Sequence, residues 1–276
     1  QAFYANQMQA HGYGRKTFAF ETNAAGQAVV LRVNGRFPDS QYLGGNTSRN
    51  VEAELDAQFS LTDNIYLVAV DVSDGRINGA GGVGGSRGPN GGVAFVPASG
   101  ISFDFRTVAH ELGHAFGLQH DFRDDTNIMS YGDNSDRLSA CSAEFLDVNH
   151  YFNPNRNFIS AAEPTIRITS SLEYPAGASS ITLRFELSDP DGLHQAQFLP
   201  ITTDFANGVN RAAAVGSPEI QECTKLNGQT QTVTFSYAKL SGADAHRLAL
   251  GVVDLQGHAA LKEFSVFSAA RPGQTL

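Results

Sequence analysis

Three histidines and one glutamate stand at fixed intervals in a single segment, which runs from His110-Glu111 through His114 to His120-Asp121. His110 and His114 are four residues apart, so a helix places both imidazoles on one face, where they can bind one metal ion together. Glu111 lies one step around the helix, where a general base for a metal-activated water is expected. The spacing therefore predicts a helix that ends shortly before His120.

Gly117 stands between the second and third histidines and can adopt a positive φ, which lets the chain leave the helix and turn back. The turn would bring His120 to the same ion as a third ligand. Three protein ligands leave a fourth position for water, which is the arrangement of catalytic zinc. Two histidines four apart are also found on ordinary helix faces. The glutamate, the glycine and the third histidine at these spacings favour one zinc ion held by His110, His114 and His120.

The pattern H-E-x-x-H-x-x-G-x-x-H resembles the metzincin metallopeptidases, and Asn127 to Tyr131 resemble the Met-turn of that clan. The resemblance implies that Met129 lies below the zinc and that Tyr131 ligates zinc or stabilises the oxyanion. A core methionine and a packed tyrosine are the alternatives. Asp121 follows the third histidine as in adamalysins, which implies a structural hydrogen bond rather than chemistry. The specific motifs cover residues 110–131, and the short linker from His120 to Met129 fits none of the best-known families cleanly.

The first part of the chain carries helical and strand patterns that suit an α+β domain. The metzincin resemblance implies a twisted, mostly parallel sheet with helices. It also implies that the strand before the zinc helix is the sheet edge that pairs with substrate, which would be Gly92, Val93, Ala94, Phe95 and Val96; an ordinary edge strand is the alternative. We predict helices over 1–10, 48–59 (capped by Ser48), 102–118 (capped by Ser102) and 139–152, and strands over 16–21, 28–33, 64–72 and 92–97.

A glycine-rich stretch from Gly75 to Gly92 contains Gly79-x-Gly81-x-x-Gly84, which matches a dinucleotide-binding fingerprint on paper. That fingerprint requires a strand directly before it and a helix directly after it. Here more glycine and Pro89 follow. We therefore interpret the stretch as a flexible surface loop.

The sequence changes in character after about residue 162. Short alternating segments separated by turn residues predict a β-sandwich, and we assign residues 1–162 to a catalytic domain and residues 163–276 to an Ig-like β-sandwich domain. The predicted strands are 165–169, 181–187, 195–201, 230–236, 246–253 and 260–267.

Charge and hydropathy exclude several partners. The net charge is −9, which argues against a nucleic-acid or anionic-membrane surface, and no apolar run approaches the length of a membrane span. We expect a secreted monomer, with a chain processed or trimmed before Gln1. Cys141 and Cys223 form either one long-range disulfide or two buried thiols.

Four aspartates are candidate calcium ligands. They form two pairs, Asp124 with Asp125 and Asp189 with Asp191. Each pair is explained more simply by turn formation, because no complete oxygen-ligand loop is present. The sequence therefore leaves a calcium ion open as a second cofactor but gives no support for it.

The sequence predicts a zinc-dependent endopeptidase that acts on protein or peptide substrates, with Glu111 as general base and Tyr131 as a second catalytic group. One alternative is an adhesion or carbohydrate-binding protein whose Ig-like module carries the function beside a peptidase of narrowed activity. Another is an exopeptidase or a different zinc hydrolase. The sequence gives no indication of cleavage preference.

Overall fold

The structure is a computed structural model that describes residues 1–73, 75–78, 81–88, 90–100, 102–156, 162–201, 216–240 and 245–269. The chain divides into two compact units. The first comprises Gln1–Gln119 and Asp125–Leu138, and the second comprises His120–Asp124 and Ser139–Leu276. The domain boundary near residue 162 stays a prediction, although this division places the segment after Leu138 in the second unit. Among the described residues, no helix combines the length and hydropathy required to span a bilayer.

The first unit combines helices with a small sheet. Two short 3₁₀ turns, Asp39–Gln41 and Gly44–Asn46, precede its second helix. The predicted cap Ser48 lies inside that helix, which begins one residue earlier. The helices are α1 (Ala2–Ala10), α2 (Thr47–Asp56) and α3 (Phe105–Ala115), and the strands are β1 (Ile65–Val70), β2 (Val83–Ser86) and β3 (Gly92–Pro97).

The described sheet of this unit has the strand order β1-β3-β2. β3 runs parallel to β1, with Ile65 opposite Gly92, and antiparallel to β2, with Val83 opposite Phe95. The prediction that residues 92–96 form an edge strand is therefore wrong, because β3 is central and buried along its whole length. The edges of the described sheet are β1 and β2, and β2 lies inside the stretch interpreted as a loop. One of the two pairings is parallel, so this sheet is mixed rather than mostly parallel.

The predicted hairpin of residues 16–21 and 28–33 is absent from the described first unit. In place of two paired strands, this segment forms an isolated bridge between Thr22 and Ala28. Val30 is 85% exposed, so its apolar side chain gains almost nothing from burial. Alternation of apolar residues stabilises a strand only when one face is covered.

The second unit is built mainly of strands. It also contains helix α4 (Ala140–Val148) and a 3₁₀ turn at His150–Phe152. The strands form a five-stranded sheet in the order β5-β11-β10-β7-β8 and a three-stranded sheet in the order β4-β6-β9. They are β4 (Thr165–Ile168), β5 (Glu173–Tyr174), β6 (Ile181–Ser188), β7 (Leu193–Pro200), β8 (Glu222–Lys225), β9 (Thr230–Tyr237), β10 (His246–Asp254) and β11 (Ala259–Ser268).

The two sheets share one hydrophobic core, as a sandwich requires. Phe185 of β6, Phe198 of β7 and Phe235 of β9 are fully buried in it, and Phe198 stacks on Phe235 with ring centroids 5.3 Å apart. All six predicted strand segments are confirmed. β5 and β8 were not predicted, because two- and four-residue strands leave too short an alternation. The Ig-like assignment of this sandwich stays a prediction.

Helix α4 packs within the second unit, against β7 and β8. The His194 imidazole hydrogen-bonds the Glu144 carbonyl at 2.9 Å, and the Gln195 amide donates to the Cys141 carbonyl at 2.9 Å. Ser139 caps the helix by accepting from the Ser142 N–H. These contacts explain why the helix predicted over 139–152 groups with the strands that follow it.

Candidate metal centre and active site

Helix α3 is fixed at both ends by backbone chemistry. Asp104, rather than the predicted Ser102, is its N-cap and accepts a hydrogen bond from the Thr107 N–H at 2.8 Å. At the other end Gly117 has φ +95°, and the N–H groups of Gly117 and Leu118 donate to the carbonyls of His114 and Gly113. This is a Schellman motif, which requires a left-handed residue at the position of Gly117. The predicted role of Gly117 as helix terminator is thus confirmed.

His110 and His114 are held by their Nδ1 atoms. His110 Nδ1 lies 2.7 Å from the Ile128 carbonyl, and His114 Nδ1 lies 2.8 Å from the Leu118 carbonyl. A carbonyl can only accept, so each Nδ1 carries the proton and each Nε2 has a lone pair. Burial lowers the pKa of both imidazoles, that of His114 to about 3, with the neighbouring His110 as the second cause. Both rings are therefore neutral at physiological pH.

The two Nε2 atoms face each other at 3.1 Å. Two nitrogen lone pairs at this distance repel unless a cation lies between them. Two ligands on a tetrahedral zinc ion with Zn–N bonds near 2.0 Å stand about 3.3 Å apart, so the spacing suits such an ion. Donation from Nδ1 to a backbone carbonyl is the usual orienting contact of a metal-ligating histidine. The residues present therefore fit zinc.

His120 completes the predicted ligand set. One ligand nitrogen from each of His110, His114 and His120 lies within 4.8 Å of the other two. The His120 ring stacks on Phe122 at 5.1 Å, and its carbonyl accepts from the Ile220 N–H at 2.8 Å. Glu219 forms a parallel bridge with His120 and has one buried carboxylate oxygen with no hydrogen-bond partner. The sequence could not predict that Glu219 lies next to His120, because the two are about a hundred residues apart in the chain.

Glu111 is 7% exposed and lies against the edge strand β2. Burial raises the pKa of its carboxyl to about 8, and a hydrogen bond from the Gly84 N–H works in the opposite direction. A Cβ on Gly82 would stand 2.6 Å from Glu111 Cγ, so only glycine fits there. This pKa belongs to the metal-free chain, and a cation bound nearby would favour the ionised carboxylate and lower it. The function of Gly82 and Gly84 was missed in the sequence, where these glycines were interpreted as flexible loop residues.

Met129 lies beneath helix α3. It is buried, and its Sδ stands 2.5 Å from where a Cβ on Gly113 would lie. Gly113 occupies one of the two variable positions between the first two histidines, so its missing side chain makes room for the sulfur. On the same helix, the Tyr4 hydroxyl donates to the Ala109 carbonyl at 2.7 Å, which ties α1 to the residue before His110. Met129 therefore has the position expected for the floor of the site.

Tyr131 lies beside the first ligand, with its ring centroid 5.6 Å from that of His110. Burial and then the charge of Glu111 raise the pKa of its phenol to about 12. The hydroxyl therefore keeps its proton at neutral pH and can donate a hydrogen bond.

Asp121 is fully buried and forms a two-point ion pair with Arg123, with nitrogen–oxygen distances of 2.8 and 2.6 Å. This contact gives Asp121 a structural partner two residues away. The predicted role in supporting the segment after His120 agrees with it.

A family model matches part of the chain. The model described as metallo-peptidase family M12 (Reprolysin_5) matches residues 44–157, which is somewhat less than half of the chain. The matched region contains all three histidines, Glu111, Met129 and Tyr131. A comparison with curated proteins finds no match.

Solved structures of OgpA match over most of this chain. The wild-type OgpA of Akkermansia muciniphila gives a TM-score of 0.57 at 15% identity, over 96% of this chain and 84% of that one. Catalytically inactive OgpA in complex with an O-glycopeptide (glycodrosocin) substrate gives 0.55 at 17% identity, over 96% and 84%. At these identities the likeness concerns the fold.

Proposed function

We propose that this chain, which carries a metzincin-type metallopeptidase domain, is a zinc-dependent endopeptidase with Glu111 as its general base. The observation that carries the proposal is the pair of neutral imidazoles whose Nε2 atoms face each other at 3.1 Å. A third histidine nitrogen lies within reach of the same ion. The match to family M12 supports peptide as the substrate class.

In the proposed reaction His110, His114 and His120 hold the zinc. When bound, zinc lowers the pKa of a water molecule and polarises the scissile carbonyl. Glu111 accepts a proton from the attacking water and passes it to the leaving amine. Tyr131 donates its hydroxyl hydrogen bond to the oxygen on which negative charge develops. A hydrogen bond from the Gly84 N–H keeps the Glu111 carboxylate in position while it accepts the proton and passes it on.

We place the substrate along β2 rather than along β3. β2 is one of the two edges of the described sheet, and exposed edge strands recruit extended peptides through their main-chain hydrogen bonds. Of the two edges, we choose β2 because Gly84 within it and Gly82 just before it lie directly against Glu111, so a peptide paired with Val83–Ser86 would pass close to the base.

The decisive experiment compares the wild type with Glu111→Gln and, as a matched control, with Glu163→Gln at an exposed position. We expect one zinc per chain by elemental analysis in all three. Cleavage of a denatured protein should fall about 10²–10⁴-fold in Glu111→Gln alone, because general-base catalysis contributes about that much. His114→Ala should lose the zinc. Undiminished cleavage by Glu111→Gln would overturn the mechanism.

An O-glycopeptide is a second substrate class to assay, because the similar OgpA was solved with one. A peptide library with and without O-glycans, analysed for cleavage positions, separates a general endopeptidase from one that requires a glycan. Internal cuts support an endopeptidase, and cuts confined to the termini support an exopeptidase. Glycan binding by the full chain without any cleavage would favour the adhesion alternative.

A further inference from the structure

Three carboxylates meet at one end of the second unit, within the sandwich. Asp189 and Asp191 lie in the turn from β6 to β7, and Asp254 ends β10. β7 and β10 are antiparallel neighbours with Leu193 opposite Asp254, which brings the two turns together. One carboxylate oxygen from each of the three aspartates lies within 4.8 Å of the other two.

The two inner carboxylates are buried. Asp254 is 0% exposed, and its oxygens accept from the N–H groups of Gln256 and His258 at 2.8 Å and from His258 Nδ1 at 2.9 Å. Asp189 is 2% exposed, and its Oδ1 accepts from the Asp191 N–H at 2.8 Å. Asp189 Oδ2 is buried with no hydrogen-bond partner. Such an oxygen is rare in a native fold, because the lost hydration is not replaced.

The charge of the group is only partly compensated. Burial raises the pKa of Asp189, and the carboxylates of Asp254 and Asp191 raise it further. Within the described ranges, the ion pair that reaches this group is the one between His258 and Asp254, and no lysine or arginine pairs with any of the three. Burying several like charges together is costly unless a cation neutralises them.

We propose that Asp189, Asp191 and Asp254 bind a calcium ion in the β-sandwich unit, separate from the zinc site. All the donors are oxygens, which calcium prefers, whereas the zinc site offers nitrogens. Asp189 offers its unpartnered Oδ2 and Asp191 an exposed carboxylate that leaves room for water ligands. Magnesium requires stricter octahedral geometry, which turns of this kind do not impose.

The proposed ion would bind the β6–β7 turn to the end of β10. Only the first two aspartates are close in sequence, so the third ligand emerges from strand pairing. The affinity should be modest, about 0.1–1 mM, as in extracellular calcium modules with few charged ligands. Such a site contributes stability where calcium is at millimolar concentration.

The test uses the full-length zinc-loaded protein, purified without added calcium. Calorimetric titration with calcium chloride and the melting temperature with and without calcium are measured for the wild type, Asp189→Asn, Asp191→Asn and the exposed control Glu173→Gln. We expect one calcium per chain and a higher melting temperature in the wild type and in Glu173→Gln. Binding should weaken about tenfold or more in both aspartate variants, since ligand charge sets calcium affinity.

Calcium-free buffer gives a second comparison. There Asp189→Asn should melt at or above the wild type, because the substitution removes a buried charge. If it melts far below, the carboxyl is a structural hydrogen-bonding group and the proposal fails. If Asp189→Asn does not fold at all, Asp191→Asn decides the matter, since residue 191 is exposed.

Three results would overturn the proposal: no heat and no thermal shift in the wild type, equal calcium binding in the aspartate variants, or an equal shift with magnesium. Zinc content is measured in every sample and should be unchanged. A failure here therefore leaves the proposed peptidase untouched.

Discussion

Gly84 on β2 touches the backbone of Glu111 on α3 so closely that a Cβ at residue 84 would stand 2.3 Å from the Glu111 carbonyl oxygen. Real Cβ atoms essentially never approach a backbone oxygen that closely, so either the strand or the helix would have to move. Because the Gly84 N–H also bonds the Glu111 carboxylate, the same contact positions both the main chain and the side chain of the proposed general base.

Gly84→Ala should therefore lower kcat/KM about 100-fold, because small displacements of reacting groups cost about that much. Zinc content should stay at one per chain, since His110 and His114 are oriented by hydrogen bonds to the carbonyls of Ile128 and Leu118, which lie outside β2. The control is Gly45→Ala, whose new Cβ meets nothing within 4 Å and whose φ is not positive. Full activity in a folded Gly84→Ala would show that the contact is dispensable.

Tyr131→Phe tests the hydroxyl proposed to stabilise the oxyanion. We expect kcat to fall about 10²–10³-fold with little change in KM, because the hydrogen bond is made chiefly in the transition state. Zinc affinity is measured in parallel. A large loss of zinc from Tyr131→Phe would instead indicate that the tyrosine is a ligand. Tyr13→Phe, at a half-buried position, is the control.

The metal-free chain should show a pH dependence that arises from Glu111. Burial raises the pKa of its carboxyl from 4.5 to about 8, so between these values the folded chain keeps a proton that the unfolded chain has released. The free energy of unfolding therefore falls as pH rises through this window, by a few kcal/mol at most. Glu111→Gln should abolish that part of the fall.

His110 and His114 act in the opposite direction and in a lower window. Burial lowers the pKa of both, so the unfolded chain binds more protons below about pH 6.5 and stability is lost as pH falls. This contribution is common to the wild type and Glu111→Gln. The free energy of unfolding of each protein is measured at about pH 5 and about pH 8, and the difference between the two pH dependences isolates the contribution of the Glu111 carboxyl. An equal pH dependence in both proteins would contradict the prediction.

Cys141 and Cys223 are thiols in the structure, in direct hydrogen-bond contact. Contact with Cys223 raises the pKa of the Cys141 thiol, and contact with Cys141 and the charge of Arg123 lower the pKa of Cys223 to about 7. Treatment with oxidised glutathione should therefore form a disulfide, with release of two reduced glutathione molecules. The bond should stabilise the chain by about 2–4 kcal/mol.

Intact mass after maleimide labelling, with and without reductant, measures the oxidation. The disulfide form should take no label until it is reduced. Cys141→Ser is the control and should leave one reactive thiol under both conditions. Two labels on the oxidised wild type would rule out the bridge.

Helix α3 and the sandwich strands were predictable from sequence, because each depends on local periodicity or on residue spacing. Gly117 is the clearest case, since only a left-handed residue closes the helix there. The edge strand was not predictable. β2 consists largely of glycine, which has low strand propensity, and it forms because it pairs with β3 and packs on Glu111. The helix start was also misplaced, because Ser102 and Asp104 are both good caps and tertiary packing selects between them.

The contacts that could not be predicted from sequence join residues that are far apart in the chain. Asp254 joins Asp189 across more than sixty residues, and Tyr4 reaches Ala109 across more than a hundred. No local pattern encodes such pairings. They depend on strand order and helix packing, which the sequence specifies only through the whole fold.

Helix α4 packs on β7 and β8, so its apolar face is covered by strands that lie far beyond the predicted boundary at residue 162. A chain shortened at that boundary would keep the helix and lose its cover. Cys141, which is buried against Leu199 and Ala249 in the intact chain, would become exposed to solvent. Exposed apolar surface of this kind promotes aggregation. The peptidase segment and the sandwich would then be poor modules to exchange, and the end of the family match would be a poor place to divide the gene.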